Sequence, residues 1–188
     1  MILDVALEGS PALSLPEAAP VTQTEFESFY RETARSLSGY LPRICGDRAL
    51  SEDLLQETYL RFCRARVPAS RADWKAYLYR IGTNLAADWW RHAGRWEAKS
   101  VPEDLARAGA GEGESDLIRR RDLESAFGEL KPRERALLWL AYVEGSDHRE
   151  IAKALGLSRA SVKVLLFRAR HRLAASLERK GIGPEVLS

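Results

Sequence analysis

The chain is expected to be all-α, built as two small helical domains joined by a flexible acidic linker. Three observations lead there. Apolar residues recur at helical spacing almost throughout, with no sustained strand-like alternation. That spacing breaks across residues 98–118, where five acidic residues face two basic ones and Gly109, Gly111 and Gly113 alternate with small or acidic neighbours. Such a segment cannot bury enough apolar surface to order itself and reads as a tether. Residues 146–172, beyond the break, carry the pattern of a helix-turn-helix. The expected organisation is a flexible tail over 1–22, a domain over 23–97, the linker over 98–118, a second domain over 119–180 and a short tail over 181–188.

The elements follow in order. Residues 1–22 are rich in Pro and Ala, with Asp4, Glu8 and Glu17 but no Lys or Arg. A secretory signal needs a basic start and an apolar run, and this stretch has neither. A helix starts near Thr24, with Phe26, Phe29, Tyr30, Leu37 and Leu41 as its apolar row, closed by Pro42 and Gly46. Ser51 caps the next helix, with Glu52 and Asp53 in its first turn, where carboxylates favour the helix dipole. Leu55, Tyr59 and Phe62 form its core row, and Asp53, Gln56, Glu57 and Arg64 lie opposite. Residues 67–73, with Pro68 and Ser70, read as a loop. A third helix covers 74–92 and buries Trp74, Leu78, Ile81 and Leu85. After the linker come a helix around 117–130, a helix start at Pro132 and a helix through 136–143 stopped by Gly145.

The helix-turn-helix is the most informative local signal. Ile151, Ala152 and Leu155 form the apolar side of its first helix. Gly156 is the turn residue, placed where a Cβ is expected to clash, and Ser158 caps the second helix. Ala152 sits where the two helices cross, so a larger side chain there pushes them apart. Val162, Leu166, Ala169 and Leu173 are the buried face. From Arg159 to Arg172 the cations are Arg159, Lys163, Arg168, Arg170 and Arg172, with no Asp or Glu. A merely solvated helix mixes charge signs, whereas an unmixed basic helix suits phosphates and base edges. Arg159, Lys163 and Arg170 line one edge of the buried stripe, and Arg168 and Arg172 the other.

Composition bounds the rest. The chain has 188 residues, 29 Lys and Arg against 27 Asp and Glu, and a formal net charge of +2. It is no generic polycation, so its basic residues matter for nucleic acid only because they are concentrated. No stretch approaches a transmembrane helix, and a cytoplasmic protein without stable membrane association is expected. Cys45 and Cys63 lie far from any metal-ligand spacing and read as two reduced, partly buried thiols. His92, His148 and His171 are far apart, and Asp88 with His92 is an ordinary i,i+4 pair. No catalytic constellation, metal site or cofactor is expected.

The third helix carries a second nucleic-acid signal. Trp74, Trp89, Trp90 and Trp96 crowd residues 73–96. Trp89 and Trp90 point about 100° apart on a helix, so one is expected to be partly exposed. Arg80, Asn84, Ala87 and Arg91 form a row opposite the apolar stripe. Rings that stack, an amide that reads base edges and guanidinium groups that take phosphate hold unpaired bases.

Residues 51–65, SEDLLQETYLRFCRA, followed by 74–91, WKAYLYRIGTNLAADWWR, resemble the second region of an extracytoplasmic-function sigma factor. Residues 130–173, LKPRERALLWLAYVEGSDHREIAKALGLSRASVKVLLFRARHRL, resemble that family's fourth region. The resemblance covers about 25–97 and 122–177 and implies a transcription initiation factor whose partners are core RNA polymerase and promoter DNA. It implies docking of Asp53, Leu54, Leu55, Gln56 and Glu57 on the polymerase clamp coiled coil, with a further contact between the fourth region and the flap. It implies that the 67–73 loop and Arg80, Asn84, Asp88 and Arg91 hold the melting minus-ten element. Asp88 lies nearest the buried stripe, where a structural role is as fitting. Holding a base outside the stack costs a few kcal/mol, which a pocket and polymerase contacts must offset. The helix-turn-helix, through Arg159, Ser161, Lys163, Arg168 and Arg170, is implied to bind the minus-thirty-five element as duplex. An anti-sigma factor covering the polymerase-binding faces is a further implied partner.

The chain departs from the family in its recognition helix. Members often carry Gly-Thr-Val-Lys-Ser-Arg where this chain has Ala160, Ser161, Val162, Lys163, Val164 and Leu165. Leu165 in place of the arginine removes one DNA contact, and Arg159 places a charge at the helix start instead. His148 and Arg149 replace the small or acidic residues common before the Glu-Ile-Ala core. The alternative is a stand-alone helix-turn-helix regulator, active as a dimer on paired half-sites.

Overall fold

The computed structural model describes residues 20–93 and 114–183. The N-terminal tail up to residue 19, most of the expected linker and residues 184–188 lie outside the described residues. Seven α-helices, and no strand, occur among the described residues: α1 (Gln23–Cys45), α2 (Arg48–Arg64), α3 (Trp74–Ala93), α4 (Glu114–Gly128), α5 (Pro132–Tyr142), α6 (His148–Leu155) and α7 (Arg159–Arg179). A single 3₁₀ turn, Arg71–Asp73, precedes α3 where the sequence suggests plain loop.

Several element boundaries differ from the sequence reading, each for a visible local reason. Helix α1 is capped by Thr22 rather than Thr24: the Thr22 hydroxyl accepts from the Glu25 amide, and Glu25 accepts from the Thr22 amide at 3.0 Å. Pro42 lies inside the last turn of α1, and Gly46, at φ 71°, closes it. Asp47, not Ser51, caps α2 by accepting from the Leu50 amide at 3.1 Å. Ser51 is buried within the helix and donates to the Arg48 carbonyl. Helix α4 begins at Glu114, so the last residues assigned to the linker are helical.

Helices α1 to α3 form a three-helix module around an aromatic centre. Phe29 stacks on Phe62 at 4.8 Å, and Trp74 meets Phe29 edge-on at 5.5 Å. Leu37, Leu41, Leu78 and Leu85 fill the surrounding space as expected, whereas Tyr30 is exposed. Two hydroxyl pairs bridge the helices of this module: Thr33 and Tyr59 share a hydrogen bond at 2.9 Å, and Tyr40 and Thr83 one at 2.7 Å. Gly82 lets α3 approach its neighbours, because a Cβ there meets Leu41 Cδ2 at 3.2 Å and Thr58 Oγ1 at 3.3 Å.

Helices α5 to α7 form the second module, with α4 packed along α7. Lys180 donates to Ser125 at 3.0 Å across that contact, and Glu129 accepts from Ser176 and from Arg179. The two modules are not held apart. Leu137, Leu138, Leu140, Ile151 and Ala154 belong to the same continuous core as Leu37, Tyr40, Ile44 and Tyr79. Helix α6 lies against α3, and α5 against α1. Polar contacts pin the seam: Arg135 Nη1 donates to the Arg43 carbonyl at 2.9 Å, Lys75 pairs with Glu144 at 2.8 Å, and Lys153 pairs with Asp73.

Candidate nucleic-acid interface

The loop before α3 is held from inside. Val67 is buried, and the Trp74 indole N–H donates to the Pro68 carbonyl at 2.8 Å. Arg71 lies over the Trp74 ring at 5.1 Å and pairs with Glu32 at 2.8 Å. These anchors leave Ala69, Ser70 and Ala72 exposed on a loop of fixed course. In the second and third turns of α3, Arg80 and Asn84 are exposed, and Arg91 continues the same face. Asp88 is half-buried and forms an ion pair with Arg91. Trp89 and Trp90 are both half-buried and meet edge-to-face at 5.1 Å, so neither ring is wholly given to the core.

On α2, Asp53 and Gln56 are exposed, Leu55 and Glu57 are half-buried, and Glu57 accepts from Arg61 Nε at 2.6 Å. Leu54 does not belong to this group. It is 7% exposed and packs in the core with Thr58 and Phe62, which follow it on the inner face at helical spacing. Two adjacent leucines leave the inward one undetermined in sequence, and the wrong one reads as the core residue.

In the helix-turn-helix, Asp147 caps α6 by accepting from the Arg149 and Glu150 amides at 2.6 and 2.9 Å. Those amides hold its carboxyl below the usual carboxylate range, the Glu150 amide contributing most. Gly156 takes φ 60°, the left-handed conformation that closes α6. Its role is conformational rather than steric, since no atom lies within 4 Å of an added Cβ. Ser158 caps α7 and accepts from the Ser161 amide at 3.1 Å. The Ser161 hydroxyl is itself bonded to Ser158 at 2.7 Å, so Ser161 serves the cap. Val162, Leu166 and Ala169 are buried, and Ile151 and Ala152 meet them from α6.

The cations of α7 divide into two groups. Arg159, Lys163 and Arg168 are exposed. Arg170 donates to the Tyr142 hydroxyl at 3.3 Å, and Arg172 pairs with Glu134. The sequence reading overlooks the outermost face. Ala160 is exposed, Val164 is 50% exposed, and Phe167 is 54% exposed with its ring 4.2 Å from His171. The signal is available in sequence, because these positions lie opposite the buried Val162 on a helical projection.

Among the described residues no group of three or more His, Cys, Asp or Glu is placed to hold a metal ion, and no helix is long and apolar enough to cross a membrane. Cys45 is buried and Cys63 exposed, and both are free thiols.

A helical module with an Arg–Asn row beside half-buried indoles, packed on a helix-turn-helix with an acid-free second helix, defines a DNA-binding protein of two modules. Residues 29–95 match the family description "Sigma-70 region 2", and residues 120–173 match "Sigma-70, region 4". The RNA polymerase sigma factor CarQ of Myxococcus xanthus is 34% identical over 155 residues, covering 80% of this chain and 88% of CarQ. The ECF RNA polymerase sigma factor SigE of Mycolicibacterium smegmatis is 32% identical over 136 residues, covering 70% of this chain and 53% of that protein. The fold is also that of the sigma factor RpoE in its complex with the anti-sigma factor NepR from Bartonella quintana. That match has a TM-score of 0.63 and 21% identity, and covers 82% of this chain and 98% of that one. The chain belongs to the sigma-70 family of RNA polymerase sigma factors, within its extracytoplasmic-function group. It is thus a promoter-specific initiation factor. The stand-alone regulator is not favoured, since a region 2 module has no part in that alternative.

Proposed function

We propose that this chain binds core RNA polymerase through α2, holds the melted minus-ten element on α3 and its preceding loop, and binds the minus-thirty-five duplex through α7. One observation carries the assignment. Each of these helices leaves polar residues of its family motif exposed, Asp53 and Gln56 on α2, Arg80 and Asn84 on α3, Arg159 and Lys163 on α7, while its apolar stripe, Leu54 included, is buried. On α2, Asp53, Gln56 and Glu57 around Leu55 offer a polar interface with an apolar anchor for the clamp coiled coil. On α3, Asn84 reads a base edge, Arg80 takes phosphate, and Trp89 and Trp90 give stacking surface. Asp88 orients Arg91 through their ion pair. On α7, Arg159, Lys163 and Arg168 take phosphates, Arg170 does so beside Tyr142, and the fourth region contacts the flap. Ser161 holds the start of the helix in position.

The chemistry of RNA synthesis stays with the polymerase, so the chain acts without a catalytic centre or cofactor of its own, in the compartment that holds the polymerase. We place the domain limits at 23–97 and 119–180, with α4 straddling the second boundary. RpoE of Bartonella quintana is bound by an anti-sigma factor. A protein of that kind is the proposed regulator here, covering the docking face of α2.

Run-off transcription with purified core polymerase tests the function: the full chain directs initiation at a subset of genomic templates. Asp53→Arg with Glu57→Arg abolishes retention on core polymerase. Asn84→Ala weakens promoter melting more than duplex binding. A chain that starts no transcript on any template overturns the proposal.

A further inference from the structure

The outward face of α7 is apolar where a groove-reading helix usually carries hydrogen-bonding groups. At 100° per residue from the buried Val162, Ala160 and Val164 lie about 160° and 200° round the helix, and Phe167 about 140°. Within the first three turns of α7 these are the positions farthest from the core, and all three are exposed. Lys163 and Arg168 flank them at about 100° and 240°. Ala160 and Val164 belong to the first two turns, the part of a recognition helix that meets base edges. Those turns also carry the exposed cations Arg159 and Lys163, whereas the Ser161 hydroxyl is bonded to Ser158. Val164 also stands where the related recognition helices carry serine.

We propose that Val164, with Ala160 beside it, reads the C5-methyl group of thymine in the minus-thirty-five duplex. The inference rests on the initiation function proposed above and gives it a base preference. In the major groove the only apolar group on any base pair is that methyl. An isopropyl group set against the groove floor gains contact with thymine. Opposite cytosine, adenine or guanine it strips water from a donor or acceptor and returns no hydrogen bond. The flanking cations decide the class of partner. No Asp or Glu occurs between Arg159 and Leu177, so an apolar protein surface laid on this stripe buries Lys163 and Arg168 beside it without counter-charge, whereas a duplex supplies phosphates on both sides.

Duplexes selected by the full chain from a randomised pool test the inference. Selected sites carry a thymine at a fixed position, and deoxyuridine there, which removes only the methyl, weakens binding about fourfold. Val164→Ser brings the thymine-to-deoxyuridine affinity ratio to about one, and Lys163→Ala lowers affinity for both duplexes while leaving the ratio unchanged. Val164 is half-exposed, so the serine variant keeps its fold, checked by an unchanged thermal midpoint. A ratio near one in the unsubstituted chain overturns the inference, as does a ratio that survives Val164→Ser. Loss of retention on core polymerase by Val164→Ser, with the ratio intact, reassigns the stripe to protein docking and overturns it too. Run-off transcription on the same templates is the separate arm. A thymine-dependent chain that starts no transcript leaves the base reading standing and removes the initiation function.

Discussion

Arg135 donates through Nη1 to the main-chain carbonyl of Arg43, 2.9 Å away and 92 positions earlier in the chain. Its Nε donates to the Leu130 carbonyl at 2.9 Å, and the residue is only 2% exposed. Burial lowers the guanidinium pKa to about 10, far enough above neutrality that the group stays charged. The Arg43 side chain lies over the Trp139 ring at 4.7 Å. One arginine thus ties the modules through its backbone and its side chain.

Arg135→Ala removes two donors and leaves two carbonyls and a side-chain-sized gap in the seam. The expected loss is about 2–4 kcal/mol of unfolding free energy, read from chemical denaturation. An unchanged midpoint contradicts a structural role for the contact.

Glu129 sets an acid limit. Hydrogen bonds from Ser176, Lys180 and Arg179 hold its pKa at about 2, down from 4.5. A carboxyl depressed in the folded state stabilises above its unfolded pKa, and that contribution fades as pH falls through the folded value. The gap in thermal midpoint between the unsubstituted chain and Glu129→Gln is therefore constant above about pH 5.5 and narrows between pH 4.5 and pH 2. The carboxylate is partly exposed, so salt reduces the gap. A gap that widens toward acid contradicts the assignment.

The two thiols differ in access. Cys45 is fully buried, and desolvation pushes its pKa up to about 12, whereas Cys63 is exposed. A disulfide reagent should titrate one thiol in the native chain and the second only on unfolding, with Cys63→Ser eliminating the native phase. Two thiols reacting at similar native rates contradict the packing of α1.

Gly82→Leu tests the approach of α3 to α1 and α2. The first added carbon already meets Leu41 and Thr58 at 3.2 and 3.3 Å. A destabilisation of about 1–3 kcal/mol is expected from overpacking, measured as a lower thermal midpoint.

Lys163→Ala and Arg168→Ala should each weaken minus-thirty-five duplex binding about uniformly across sequences. Each should reduce the slope of log affinity against log salt by about 1. An unchanged slope places the phosphate contacts elsewhere.

Much of this was legible in the sequence because helical spacing states which face of each helix is buried. Trp74, Leu78 and Leu85, and likewise Val162, Leu166 and Ala169, point inward as the spacing requires. Spacing does not name the partner of a buried face. Leu37 and Ile151 therefore show their burial in sequence but not that they share one core. Capping was misplaced for a similar reason. Thr22 and Thr24, like Asp47 and Ser51, are all competent caps, and the selection rests on which side chain meets a free amide. The outward stripe of α7 was overlooked because exposed Val164 and Phe167 look like core residues until the opposite face is seen to be filled.

The seam between α3 and α6 bears on how a promoter can be grasped. The minus-ten and minus-thirty-five elements lie about 25 base pairs apart, some 85 Å along B-form DNA at about 3.4 Å per pair. A folded body of this length is roughly 40 Å across. With Lys75 paired to Glu144 and Lys153 to Asp73, the two DNA-binding faces proposed above cannot both close on one promoter at once. On that assignment, initiation draws on a separated form of the chain. A partner that prefers the shut form then opposes initiation, and one that prefers the spread form favours it.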